Sequence, residues 1–316
     1  MSRMSEPTQS YLKVHYELRP AKQVERRMLI DAFQLLSHTG FSIRDYQYTG
    51  MGSIYFVDFI LVHRLLGISR MLSVEYDTTI KKRIEFNRPF GCVKTKIAPI
   101  GDVIPTLSKD LKHILWLDYD GVLRNSHLQD VSLAATYLPV GSILLVTVDV
   151  EPPKGDDPAE WREHFETEGA EYFDQTLKKK DFARSLLPRR NIDLIAKAIQ
   201  SGLSGRKEVE FLPLFNFLYQ DGHEMLTVGG MIGSSTEKRL INGSPLAETN
   251  YYRKDLDDDP CVIKVPRLTR KERLHLDEQM PCDDGWTPSE FELSADNVNA
   301  YRKIYTYCPS YAELLL

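Results

Sequence analysis

Cysteine is scarce and scattered. The four thiols, Cys92, Cys261, Cys282 and Cys308, form no C-x-x-C and no close pair, so neither a disulfide framework nor a zinc site is expected. Long hydrophobic runs are missing too: none approaches the ~18 residues a membrane span needs. The opening MSRMSEPTQSYLK lacks the apolar core of a secretory signal, and a reducing cytoplasm is the expected compartment. Charge of one sign is not in excess. Forty basic and 45 acidic residues give a formal charge of −5, which disfavours a bulk polyanion such as nucleic acid as partner while leaving room for a local basic patch. There is no repeat, no low-complexity tract, and no GxxxxGK[ST], GxSxG or HExxH, so phosphate-loop, serine-hydrolase and zinc-protease chemistries lack their marks.

What remains is a chain of 316 residues, 42% hydrophobic, long enough to bury a large core unaided. Val24, Met28, Leu29, Leu35 and Leu36 give a helix within 21–38, stopped by Gly40. An alternating series follows. A strand at 43–48 runs into the loop Thr49-Gly50-Met51-Gly52-Ser53. Ser53 is placed to cap an apolar helix that ends at Leu66, with Gly67 after it. A strand at 69–75 ends in Glu75 and is followed by a charged helix over 78–87. A strand at 92–98 leads to Gly101-Asp102. A strand at 113–118 ends in Asp118-Tyr119-Asp120-Gly121, before a helix at about 127–138. Ile143 to Val148 is a continuous run of β-branched residues and leucine, of the kind buried on both faces. Strands alternating with helices imply crossovers and a parallel sheet. Residues 151–190 are charged and proline-flanked and read as an insertion. A helix over 191–203 then leads to two apolar runs, 208–219 and 224–232, joined by Asp221-Gly222, a hairpin signal. Residues 236–260 read as loop, and 267–280 and 295–316 as short helices.

In an open parallel sheet, ligands sit beyond the carboxyl ends of the strands. Four such ends carry suitable chemistry here. Gly50 and Gly52, with Thr49 before them, allow close backbone approach under a helix N-terminus. Glu75 can accept both hydroxyls of a ribose, Asp102 an adenine amino group, and Asp118 lies above the reacting region. Singly, each of these residues is more often a turn-maker or a solvated cap; together, in order, they read as a site.

That order, closed by a terminal hairpin, resembles the class I S-adenosylmethionine-dependent methyltransferases over about 43–232. The resemblance implies an α/β fold: a seven-stranded, mostly parallel, doubly wound Rossmann-like sheet with a C-terminal antiparallel hairpin. It implies S-adenosylmethionine as cofactor, with Thr49, Gly50, Gly52, Glu75 and Asp102 binding it; no residue is singled out as a metal ligand, and removal of an acceptor hydroxyl proton needs a base or a metal. Methylation of an oxygen is implied, since Asp-Tyr-Asp-Gly replaces the Asn/Asp-Pro-Pro-aromatic of base-amino enzymes. Asp118 and Asp120 are the catalytic candidates, although Asp120 is equally suited to a turn before Gly121. The expected division is an N-terminal helical segment at 1–40, a methyltransferase-like core at 41–235 with its insertion at 151–190, and a C-terminal extension at 236–316.

Two other readings stay open. Leu115 to Leu123 locally resembles the first motif of haloacid-dehalogenase-like phosphatases, with Asp118 as nucleophile, Asp120 as acid/base and Thr147 in the place of the second motif. The fold is also compatible with a non-catalytic module that binds a protein partner, or a second copy of itself, through the insertion or the C-terminal helices. His63, inside an apolar helix, reads as a packing residue, and His127 as either a site residue or a helix start. Lys22 and Arg26 share a helix face. That face reads as solvated, with Glu25 as an ion-pair partner, or as an anion contact for the acceptor. Lys178–Lys180 with Arg189-Arg190 read as solubility features, lacking the interleaved aromatics of a stacking surface.

Overall fold

The computed structural model describes residues 19–151 and 157–309. Eight strands form one sheet: β1 (Gln47–Gly50), β2 (Arg70–Glu75), β3 (Val93–Ile97), β4 (His113–Val122), β5 (Ser142–Asp149), β6 (Glu210–Asp221), β7 (His223–Gly233) and β8 (Cys261–Ile263). Their order is β3-β2-β1-β4-β5-β7-β6-β8. β1 to β5 pair in parallel, while β7 runs antiparallel to both β5 and β6. The hairpin turns where Asp221 faces His223, and Gly222 there has φ +102°, a conformation that favours glycine.

The apolar strands divide their side chains between two cores, as a period of two requires. Ile114 and Trp116 of β4, with Ile143 and Leu145 of β5, join the core under α1 (Pro20–Ser37) and α2 (Val57–Leu66). Leu115 and Leu117, with Leu144 and Val146, join the opposite core. Two helices cover that second face, α5 (Asn125–Tyr137) and α7 (Leu187–Leu203); α3 (Lys81–Asn87) and the single turn α4 (Ile100–Val103) complete the parallel half. The insertion contributes α6 (Pro158–Gly169), packed near the start of α5, where the Glu168 carboxylate accepts from the Asn125 N–H at 2.9 Å.

Several boundaries differ from the sequence reading. The first strand starts at Gln47, because residues 43–45 form a 3-10 turn. The helix after the glycine loop starts at Val57, so Ser53 does not cap it: Ser53 and Phe56 both hold left-handed φ values, 49° and 51°, in a tight turn closed by the Phe56 N–H on the Gly52 carbonyl. Its other end is as expected, with Gly67 at φ 69°. The eighth strand was unforeseen. β8 adds three residues in parallel to the outer edge of β6. The stretch read as loop from 236 holds the helix α8 (Ser235–Asn242), opened by a reciprocal cap between Ser234 and Glu237. Two further helices, α9 (Arg270–Gln279) and α10 (Ala295–Ile304), match the expected short ones; residues 310–316 and most of the Glu151-Pro152-Pro153-Lys154 segment lie outside the described residues.

α5 and α7 touch most closely at Gly202, where a Cβ would stand 2.2 Å from the Ser132 carbonyl oxygen and 2.8 Å from the Ala135 Cβ. Gly202→Ala is therefore expected to force the helices apart and to cost about 1–3 kcal/mol of stability, measured by urea denaturation. An unchanged midpoint would contradict this packing.

Candidate active site

β1 lies between β2 and β4, so the chain leaves it in one direction toward β3 and returns on the other side at β4. This reversal opens a crevice beyond the strand ends. A cavity of about 710 Å³ fills it. Its wall is made by Met51 and Ser53 after β1, Glu75 to Asp77 after β2, Ala98 to Asp102 after β3, and Asp118 to Gly121 within the end of β4; Arg124, His127 and Asp130 from the start of α5 close it.

The structure thus brings Glu75, Asp102, Asp118 and Asp120 together on one cavity. Glu75 is the last residue of β2, and its Oε1 accepts from the N–H groups of Tyr76 (2.9 Å) and Asp77 (3.2 Å). Both bonds fall on one oxygen, so Oε2 is left for a ligand. Burial raises this carboxyl above its usual range, outweighing the two backbone bonds that lower it. Asp102 does not end strand three as expected: β3 stops at Ile97, and Asp102 reaches the cavity from the single turn of α4. Asp120 is exposed at the cavity wall.

Thr49, Gly50 and Gly52 stand behind the wall. Thr49 is fully buried and its hydroxyl accepts from Gln47 Nε2 at 3.2 Å. A Cβ on Gly52 would lie 2.6 Å from Ser73 Oγ and 2.9 Å from Phe56 Cδ1, and one on Gly50 would lie 3.0 Å from Tyr48 Oη. These glycines let the loop pack against its own strands and the Phe56 ring, while Met51 and Ser53 face the cavity.

The largest departure from the sequence reading lies beneath Asp118. The Lys22–Arg26 face of α1 is not solvated. Lys22, Glu25 and Arg26 are buried, with Lys22 and Glu25 at 0% exposure. Lys22 Nζ is 2.9 Å from Asp118 Oδ1, 3.0 Å from Glu25 Oε2 and 3.1 Å from Tyr219 Oη, and sits 4.4 Å above the Trp116 ring. Arg26 pairs with Asp58 of α2. The Asp221 carboxylate accepts from the N–H groups of Ala21 (3.0 Å) and Lys22 (2.8 Å), which caps the first turn of α1. Burial alone would raise the Asp118 carboxyl, but the charge and hydrogen bond of Lys22, then Arg19 and Arg26, hold it below its usual range. Glu25 goes the other way: its burial outweighs Lys22 and the carboxyl is raised. Spacing held a usable signal, since Lys22, Arg26, Leu29, Phe33 and Leu36 lie on one stripe of three- and four-residue steps, the pattern of a core-facing side.

The two histidines separate. His63 points its Nδ1 at the Ile68 carbonyl (2.8 Å) and packs on Phe90, as a structural residue would. His127 lines the cavity, stacked on Tyr119 with ring centroids 3.8 Å apart and planes 10° apart. Burial, then Arg124, depresses it to about 4, so the ring is neutral at pH 7; its Nδ1 is buried with no hydrogen-bond partner. Tyr119 Oη donates to Asp130 at 2.8 Å. The phosphatase likeness loses its second motif, because the Thr147 hydroxyl is buried in the sheet, 2.7 Å from that of Thr227, and accepts from Trp116 Nε1. The cavity carries Glu75, Asp77, Asp102, Asp118, Asp120 and Asp130 against the one arginine Arg124. Such a wall favours a cationic ligand.

Removing Lys22 strips the cation from the buried Glu25 and the partly buried Asp118. Lys22→Met is expected to cost about 3–5 kcal/mol at neutral pH. In the wild type the depressed Asp118 carboxyl contributes stability above its unfolded value of about 4 and loses it as pH falls through the folded value. In the variant burial acts unopposed by Lys22 and the carboxyl rises, so the charged form is penalised at neutral pH and the penalty fades on acidification. The gap in melting temperature between the two proteins should therefore narrow from pH 8 to pH 5; a constant gap would contradict the pairing.

Comparison with known proteins adds one strong match. A family model described as "Putative O-methyltransferase" matches residues 14–316. No curated protein matches the chain. Among solved structures, Trm1 from Pyrococcus horikoshii with S-adenosyl-L-methionine is similar at 12% identity and a TM-score of 0.43, covering 70% of this chain and 58% of that one. The O-methyltransferase TomG from Streptomyces achromogenes, in complex with SAM, is similar at 14% identity and 0.34, covering 71% and 94%. The Methanococcus jannaschii fibrillarin pre-rRNA processing protein is similar at 11% and 0.34, covering 60% and 68%. Identities and scores this low leave the assignment to the family model, which spans nearly all of the sequence: the chain belongs to the O-methyltransferase family that this model describes.

Proposed function

We propose that the crevice binds S-adenosylmethionine and that the protein transfers its methyl group to an oxygen of an acceptor. The observation that carries this reading is the convergence of Glu75, Asp102, Asp118 and Asp120 on one cavity at the reversal of strand order. The residues fit the cofactor. The cavity volume lies within the ~300–1,000 Å³ of small-molecule sites, and its acidic wall suits a molecule with a positively charged sulfur and an amino group. When bound, that sulfur supplies an activated methyl, so the protein's task is alignment and exclusion of water.

In this reading Glu75 Oε2 takes the ribose hydroxyls and Asp102 the adenine amino group, while Met51 and Ser53 line the path of the methionine part, backed by Thr49, Gly50 and Gly52. Asp118, kept ionised by Lys22, acts as a fixed anion facing the positive end of the crevice. It is a poor proton acceptor for the same reason. Removing the proton of an acceptor hydroxyl then falls to Asp120 on the cavity wall, since the burial that depresses His127 to about 4 makes its ring a weak base as well. The same reading keeps the division into a segment at 1–40, a core at 41–235 and an extension at 236–316. Among the described residues no helix is long and apolar enough to cross a membrane, and we place the enzyme in the cytoplasm.

Isothermal titration should detect S-adenosylmethionine binding. Hydrogen bonds to a charged group contribute about 1.5–3 kcal/mol each, so Glu75→Ala should weaken binding by about 100-fold or more. Full affinity in a folded Glu75→Ala protein would remove this reading.

A further inference from the structure

A second cavity, of about 320 Å³, lies away from the crevice, between the insertion and α7. Its floor is aromatic. Phe182 is fully buried, and the rings of Phe165 and Phe173 stand 5.5 and 6.1 Å from it. The facing wall is one side of α7, where Arg190, Leu194 and Lys197 follow one another at helical spacing.

Charges on this wall are unevenly satisfied. Asp174 accepts from both the N–H and the hydroxyl of Thr176. Asp193 is held by Arg189 at 2.8 Å and, more loosely, by Arg190 Nη1 at 3.4 Å. The two cations are left with spare donors. Arg190 Nε is buried without a hydrogen-bond partner, a costly state for a guanidinium donor. Lys197 has no ion pair closer than 4.0 Å among the described residues.

An apolar recess with a few converging polar groups is the usual form of a small-molecule site. Here the rim carries Arg190 and Lys197 beside Asp174 and Asp193, whose carboxylates are already held by Thr176 and by Arg189, and the interior is three phenyl rings and Leu194. We propose that this cavity binds a small amphipathic monoanion, a carboxylate on an aromatic or short aliphatic body, with the carboxylate between the accessible part of the Arg190 guanidinium and Lys197 and the body against Phe165, Phe173 and Phe182. The site is independent of the cofactor crevice and does not rest on the methyltransferase reading. Phe165 also lines a small adjoining recess with Val122, Leu123 and Asp149, so a ligand here would press on a ring that packs beside the end of β4.

The test titrates the full chain with 3-phenylpropionate and with its neutral amide, 3-phenylpropanamide, by saturation-transfer NMR. The acid should bind and the amide should bind about tenfold more weakly or worse. Arg190→Gln should weaken the acid by a similar factor, and Ala196→Phe, which fills the recess, should abolish binding. The far-ultraviolet circular dichroism spectrum of both variants should match that of the wild type, reporting an intact fold. If Arg190 merely lies over the phenyl rings with its head in water, its replacement would move the melting temperature and leave the affinity alone. No binding of the acid at about 10 mM, equal binding of acid and amide, or wild-type affinity in Arg190→Gln would each overturn the proposal.

Discussion

The ion pair between Lys22 and Asp118 joins two parts of the chain that the rest of the site depends on. Asp118 belongs to β4, the central strand whose end enters the crevice, and Lys22 to the first turn of α1. A lysine at 0% exposure is tolerated only if its charge is met on several sides. Asp118, Glu25, Tyr219 and the face of Trp116 do this. Asp221, at the hairpin, ties the backbone of the same turn, and Arg26 ties the helix to α2 through Asp58. The helix α1 is thereby fixed under the Asp118 end of the crevice, and the carboxylate above it is held in its charged form.

The crevice itself follows from the sheet. Parallel strands deliver their last residues to one edge, and the reversal between β1 and β4 parts the connecting loops there. The acids arrive on separate elements, Glu75 on β2, Asp102 on α4, Asp118 and Asp120 on β4 and Asp130 on α5, so no short motif in the chain spells out the site. The summed effect is an anionic cavity over a buried polar floor. Its charge complements a cationic cofactor, and the neutral His127–Tyr119 stack supplies a flat surface beside it.

Much of this was legible in the residues. Continuous β-branched and leucine runs such as Ile143 to Val148 specified strands buried on both faces, and Asp221-Gly222 specified the hairpin, because these signals act over a few residues. Glu75 was readable as a strand-end acid for the same reason. Other features depend on distant contacts. Ser53 carries a capping side chain, yet packing of Phe56 and Gly52 against Ser73 and Phe59 takes the chain through a left-handed turn and delays the helix. β8 has only three residues and exists because an exposed edge of β6 accepts it. The burial of Lys22 requires Asp118 and Tyr219, 96 and 197 residues away. The cap at Ser234 and Glu237 was within reach of the sequence, since it spans four residues, and marks a helix in a stretch read as loop.

Hydrogen–deuterium exchange with and without S-adenosylhomocysteine tests the central claim most directly, since it reads the crevice segment by segment with no acceptor needed. The product thioether is expected to slow exchange in the segments 49–53, 75–80, 98–103 and 118–130, and to leave the hairpin at 210–233 unchanged. Absence of protection in those four segments, or protection confined to another part of the chain, would contradict that claim.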